Sequence, residues 1–104
     1  MLDKNEKQLL AKLFGHAVQA LRETQGLRRA DLAKRMQVQH TRIVQIENGK
    51  VDPQVSTVLA FAEALAVTPS VLLEGMTEDW RAIGGDESEE KQPEYRHNRL
   101  SDLP

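Results

Sequence analysis

Residues 27–50, LRRADLAKRMQVQHTRIVQIENGK, decide the fold of this chain. Over 28–36 helix-forming residues carry apolar side chains at Leu32, Ala33 and Met36. That i, i+1, i+4 spacing predicts a helix of about two turns with one buried stripe. Met36-Gln37-Val38-Gln39 interrupts the pattern, which resumes with Ile43, Val44 and Ile46 and stops at Asn48-Gly49. A glycine suits the left-handed position just past a helix end. Gln39, His40, Thr41, Arg42 and Gln45 fall on the outward side of the second helix.

Two short helices joined by a tight turn, here over 28–48, form the helix-turn-helix pattern. Such a unit lays its second helix in a DNA major groove. Further landmarks surround it in an uninterrupted order: LRETQGL at 21–27, DLAKR at 31–35, the run from Ile43 through QIENGK, DP at 52–53 and ALAVTPSVLL at 64–73. With these, residues 22–75 resemble the domain of phage-repressor (Xre/Cro-type) helix-turn-helix regulators. The resemblance implies an all-α fold, a compact five-helix DNA-binding domain. Two positions depart from the family pattern. Arg28 stands where a small capping residue is usual, which forgoes about 1 kcal/mol. Gln37 stands where glycine is frequent and is expected to adopt a positive φ.

The chain has 104 residues and no cysteine, which excludes a disulfide, a thiolate zinc site and a cysteine nucleophile. No apolar run approaches signal-peptide or membrane-span length, so a soluble, cytoplasmic protein without membrane contact is expected. Net charge is −2, but it is unevenly spread. From 22 to 50, seven Lys/Arg stand against three Asp/Glu, a local +4; from 84 to 104, three stand against six, a local −3. A basic face with an acidic tail suits DNA, because the local field governs the encounter.

In chain order, Asp3 or Asn5 can cap a first helix, and Asp3 with Glu6 has capping-box spacing. Leu9, Leu10, Leu13, Phe14, Ala17, Val18 and Leu21 then give one apolar face, and Gly26 ends the helix. Against the family, this first helix carries an N-terminal extension of about two turns. Asp52-Pro53 is a start signal for a fourth helix, with Val55, Val58, Leu59, Ala62, Leu65 and Ala66 as its apolar face and Phe61 off it. Off that face, Phe61 is expected either to cap the core from the side or to meet another subunit. Thr68-Pro69-Ser70 starts a short fifth helix over 71–74, ended by Gly75. Residues 76–83 are compatible with a further amphipathic turn or two around Trp80 and Ile83. The domain is thus expected over 1–83. Residues 84–104 are polar and acidic, too poor in apolar surface to order alone, and predict a disordered tail.

Base readout needs side chains that match base edges: glutamine for adenine, arginine for guanine, a threonine methyl for thymine. Gln39, His40, Thr41 and Gln45 occupy the positions that carry base contacts in the family, and Arg42 reaches a base or a phosphate. His40, Thr41 and Gln45 are the first choices. Arg28, Arg29, Arg42 and Lys50 are the candidate phosphate contacts, and all four engaged in a dimer would give a salt slope of about −7. The resemblance also implies that Arg22, near the end of the first helix, pairs with Glu47 to lock the third helix on the scaffold. It implies dimer contacts from the last helix, for which Val71, Leu72, Leu73 and Trp80 are the candidates.

An enzyme is not expected. His16, His40 and His97 lack metal-ligand spacing. Serines 56, 70, 88 and 101 lack a nucleophile-elbow pattern, and no glycine-rich phosphate loop is present. No cofactor or metal is implied. The expected function is a sequence-specific regulator of transcription, a homodimeric repressor on a palindromic double-stranded operator. The alternative is an antitoxin-like or bridging module whose tail, through Tyr95 and Leu100, wraps a protein partner.

Overall fold

The computed structural model describes residues 2–81. It contains α1 (Lys4–Thr24), α2 (Arg29–Met36), α3 (His40–Glu47), α4 (Val55–Ala64) and α5 (Pro69–Trp80). No strand occurs among the described residues, and the architecture is the all-α, five-helix domain expected. The tail at 84–104, with Tyr95 and Leu100, lies outside the described residues, as does Ile83. Among the described residues no single helix is long and apolar enough to cross a membrane.

α1 begins with the capping box foreseen. The Glu6 amide donates to Asp3 Oδ1 at 2.8 Å, and the Asp3 amide donates to Glu6 Oε1 at 3.2 Å. Its inner face buries Ala11, Leu13, Phe14, Ala17 and Val18. α1 packs on α3 and α5, α2 packs on α3 and α4, and α4 packs on α5. The centre of the core is Phe14, Val18, Leu32, Ile43, Ile46, Phe61, Leu65 and Leu72. Phe14 and Phe61 meet edge to face, with ring centroids 5.7 Å apart.

The sequence expectations are corrected in the second half. α4 starts at Val55 behind Gln54, not at Asp52-Pro53. Proline disfavours the helical region for the residue before it, and Val51 packs on the core, so residues 52–54 run on before the helix begins. The apolar face of α4 is also turned by about one residue. Phe61, Ala62 and Leu65 are buried with Val58 beside them, while Val55 and Leu59 are 76% and 50% exposed. A stripe at 58, 61, 62 and 65 satisfies helical spacing as well as the expected one, and the aromatic pair with Phe14 selects it. Of the two roles foreseen for Phe61, the structure gives the core. Finally, α5 does not stop at Gly75 but runs through it to Trp80. A Cβ on Gly75 would lie 3.4 Å from Ala17 Cβ, an ordinary contact, so Gly75 sits beside α1 within a continuous helix and does not end it.

Four helices end in the same hydrogen-bonded motif. The amides of Leu27, Val38, Lys50 and Val67 each reach back five residues, to the carbonyls of Arg22, Ala33, Gln45 and Ala62, all at 3.0 Å. The left-handed residue in each is Gly26, Gln37, Gly49 or Ala66. Gln37, at φ 58°, fulfils its expectation; Ala66, at φ 57°, was not foreseen. The last carbonyls of α4 are satisfied from outside, Leu65 by Gln25 Nε2 at 2.7 Å and Ala64 by Arg35 Nη1 at 3.1 Å.

A Cβ on Gly15 would stand 2.2 Å from the Ile46 carbonyl oxygen and 2.8 Å from that of Glu47. Both obstacles are backbone, so α3 would have to move off α1. Gly15→Ala should lower the melting temperature by about 10 °C or more, an overpacking cost of about 3 kcal/mol. Gln37→Gly should do the opposite. Relief of left-handed strain of about 1–2 kcal/mol exceeds the added unfolded-state entropy of about 0.4–1 kcal/mol, so a rise of about 3 °C is expected in thermal unfolding.

Candidate nucleic-acid interface

Ile43 and Ile46 are fully buried, and this fixes which side of α3 faces out. Gln39, His40, Thr41, Arg42 and Gln45 are all exposed, as the apolar spacing required. Gln39 is the N-cap residue, but its side chain makes no capping bond. None of the five side chains forms a hydrogen bond or ion pair among the described residues. They form one row of uncommitted donors and acceptors on a rigid helix, with no carboxylate among them. Lys50 follows at the end of α3, exposed, with its amide on the Gln45 carbonyl.

The lock beneath this row is the pair foreseen. Arg22 Nε donates to Glu47 Oε2 at 2.6 Å and Nη2 donates to Oε1 at 3.1 Å. Arg22 Nη1 donates to the Leu27 carbonyl at 2.8 Å, tying the pair to the start of the helix-turn-helix unit. The Glu47 side chain is 0% exposed and that of Arg22 is 9% exposed. The carboxylate hydrogen bonds and charge of Glu47 raise the Arg22 pKa above its already high ordinary value, against the opposing effect of burial. Arg22 is therefore charged at every accessible pH.

Two cations assigned to phosphates prove to be engaged within the protein. Arg29 donates through Nε to Glu47 Oε1 at 2.9 Å, so the buried carboxylate holds two guanidinium groups. Only Nε of Arg29 is used, and the half-buried side chain keeps its Nη groups at the start of α2. Arg28 lies on Asp31, with Nε and Nη2 at 3.2 and 3.1 Å from the two carboxylate oxygens. The Arg28 amide also donates to Asp31 Oδ2 at 2.9 Å. The missing cap is thus partly replaced: arginine offers no acceptor to the helix, and Asp31 three residues on receives its amide instead. The i,i+3 spacing of Arg28 and Asp31 carries a signal for that pair, whereas Arg29 meets a carboxylate 18 residues away that no local spacing shows.

The last-helix candidates divide. Leu72 is removed from the dimer set, because its side chain is wholly buried in the core of its own domain. Val71 and Leu73 are exposed, and Trp80 is half-buried.

The family model for the helix-turn-helix domain matches residues 13–74, more than half of the chain. The chain belongs to this helix-turn-helix family. This agrees with the phage-repressor-like regulators that residues 22–75 resemble. No curated protein matches the sequence. Among solved structures the fold is similar to that of the clp gene regulator ClgR from Corynebacterium glutamicum. The TM-score is 0.68 and the identity 18%, over 85% of this chain and 94% of that one. The likeness is one of fold. The helix-turn-helix match begins at Leu13, so the first nine residues of α1 precede it.

Glu47→Ala should lower stability by about 3–5 kcal/mol, since it leaves the buried Arg22 guanidinium without its partner. Thermal unfolding measures this, and an unchanged melting temperature would show that the pair does not lock α3. The Asp31 carboxyl is held below its ordinary pKa, first by the Arg28 guanidinium and then by the Arg28 amide. Its contribution to folding is therefore complete at neutral pH and is lost as pH falls below about 4 and through the lowered folded-state value. Asp31→Asn should accordingly flatten the stability curve on the acid side of about pH 4, with little change of slope above it.

Proposed function

We propose that this helix-turn-helix protein is a sequence-specific DNA-binding regulator of transcription, a homodimeric repressor that reads the major groove with α3. The observation that carries this is the row Gln39, His40, Thr41, Arg42 and Gln45, exposed and unpartnered on a helix pinned from behind by Ile43, Ile46 and Glu47. Polar side chains that serve the fold find partners, as Gln25, Arg28 and Arg35 do. A row left without any is arranged for a ligand, and base edges offer the donors and acceptors these residue types match. His40, Thr41 and Gln45 take the base-reading role, while Arg42 and Lys50 are the uncommitted cations at the two ends of α3.

One such helix spans only a few base pairs, so two subunits on half-sites about one turn apart supply usable affinity. Val71 and Leu73, with Trp80 nearby on the same helix, are the residues for that contact. A cytoplasmic location fits a regulator of this type. Non-enzymatic action follows from the same assignment.

Fluorescence anisotropy with duplex DNA from upstream of the protein's own gene tests this. Tight binding is expected for the natural sequence and weak binding for a scrambled duplex. His40→Ala/Arg42→Ala should erase the difference between the two, a loss of about 2–6 kcal/mol of discrimination for two such contacts. With Arg42 and Lys50 engaged in both subunits, the log–log salt slope should be about −4 from these residues alone. Equal binding to both duplexes by the unaltered protein would overturn the assignment.

A further inference from the structure

Two of the four cations that the family pattern assigns to phosphates are engaged within the protein. Arg28 is on Asp31, and Arg29 shares Glu47 with Arg22. Lys50 is exposed at the C-terminal end of α3, where its side chain borders a surface groove with Lys4, Lys7, Gln8, Gly49 and Asp52. Lys4 and Lys7 belong to the first turn of α1, before the helix-turn-helix match begins at Leu13. At i, i+3 spacing they stand on one side of that helix. None of the three lysines forms an ion pair among the described residues. The neighbouring acids Asp3 and Glu6 are engaged on each other's backbone amides, and Asp52 is the one carboxylate bordering the groove.

We propose that the first turns of α1 are a second DNA-backbone contact, in which Lys4 and Lys7 join Lys50 on the phosphates beyond the C-terminal end of α3. The inference rests on the assignment of α3 as the base-reading helix. A helix set in the major groove has a phosphate strand at its exit, and the segment leaving its C-terminus faces that strand. Here that segment is Gly49–Asp52 in sequence order, and the extended α1 runs beside it. Among the residues that line the groove, three ammonium groups stand against one carboxylate. Lysine binds phosphate as a point charge, without the fixed fork geometry an arginine needs, so a flexible ridge of lysines tolerates any base sequence beneath it. The contact adds affinity and salt dependence but no sequence preference.

Lys4→Gln/Lys7→Gln tests this, because both side chains are exposed and the capping box does not use them. The probe is a random-sequence duplex, since phosphate contacts are independent of sequence, with binding followed at several salt concentrations. Thermal unfolding should be unchanged, and the log–log salt slope should become shallower by about 2 per bound subunit. Lys34→Gln serves as the comparison, since Lys34 is exposed on α2 beside Leu27, Asp31 and Arg35, apart from this groove. It should leave the slope unaltered. A slope unchanged in the double variant, or an equal loss per charge in Lys34→Gln, would overturn the α1 contact and leave α3 as the reading helix. No salt-dependent binding by the unaltered protein would overturn both.

Discussion

A single carboxylate, that of Glu47, holds the last turn of α3 against both the helix before it and the helix that opens the domain. It receives Arg22 from α1 and Arg29 from α2, and its side chain is closed to solvent. An unpaired carboxylate at that depth would cost several kcal/mol, so the three residues are stable only as a set. The set spans three helices, and it fixes their mutual rotation. α3 presents its polar row at a constant angle because Glu47 cannot leave without stranding a charge. Gly15 complements this sterically: by lacking a Cβ it lets the Ile46 and Glu47 carbonyls come down onto α1.

The helix ends show how a chain of short helices is kept compact. Each of the first four stops with a backbone bond reaching back five residues, and two of the four left-handed positions are filled without glycine. The strain at Gln37 and Ala66 is of the order of 1–2 kcal/mol each. It is tolerated because the following residues, Val38 and Val67, need those turns to set the next helix. Val67 packs directly on the core.

Charge is used in two ways on this surface. Some arginines are internal fasteners, as Arg22, Arg28, Arg29 and Arg35 show. Among the described residues, Arg42 and the lysines, Lys34 on α2 included, form no ion pair within the protein. An arginine fork suits fixed carboxylate and carbonyl geometry, while an ammonium on a flexible stem suits a phosphate ridge of varying position. Apart from Arg42, the division between fastened and free cations thus follows the chemistry of the two side chains.

Local pattern alone determined the helix-turn-helix unit, its outward row and the Asp3 cap, and the resemblance added the left-handed Gln37. The first three are set by neighbours within about one or two turns, so spacing carries the information. The pairing of Arg22 with Glu47 was legible too, through resemblance and not through spacing. Tertiary structure decided what depends on a distant partner. The phase of α4 was ambiguous by one residue until Phe14 chose Phe61, and Gly75 read as a stop although α5 runs through it to Trp80. Leu72 looked as available as its neighbours, yet it points inward and Leu73 outward. The engagement of Arg29 was equally hidden, because a cation's sequence position states its charge but not which distant carboxylate the fold brings within reach; that of Arg28 lay in its i,i+3 spacing to Asp31.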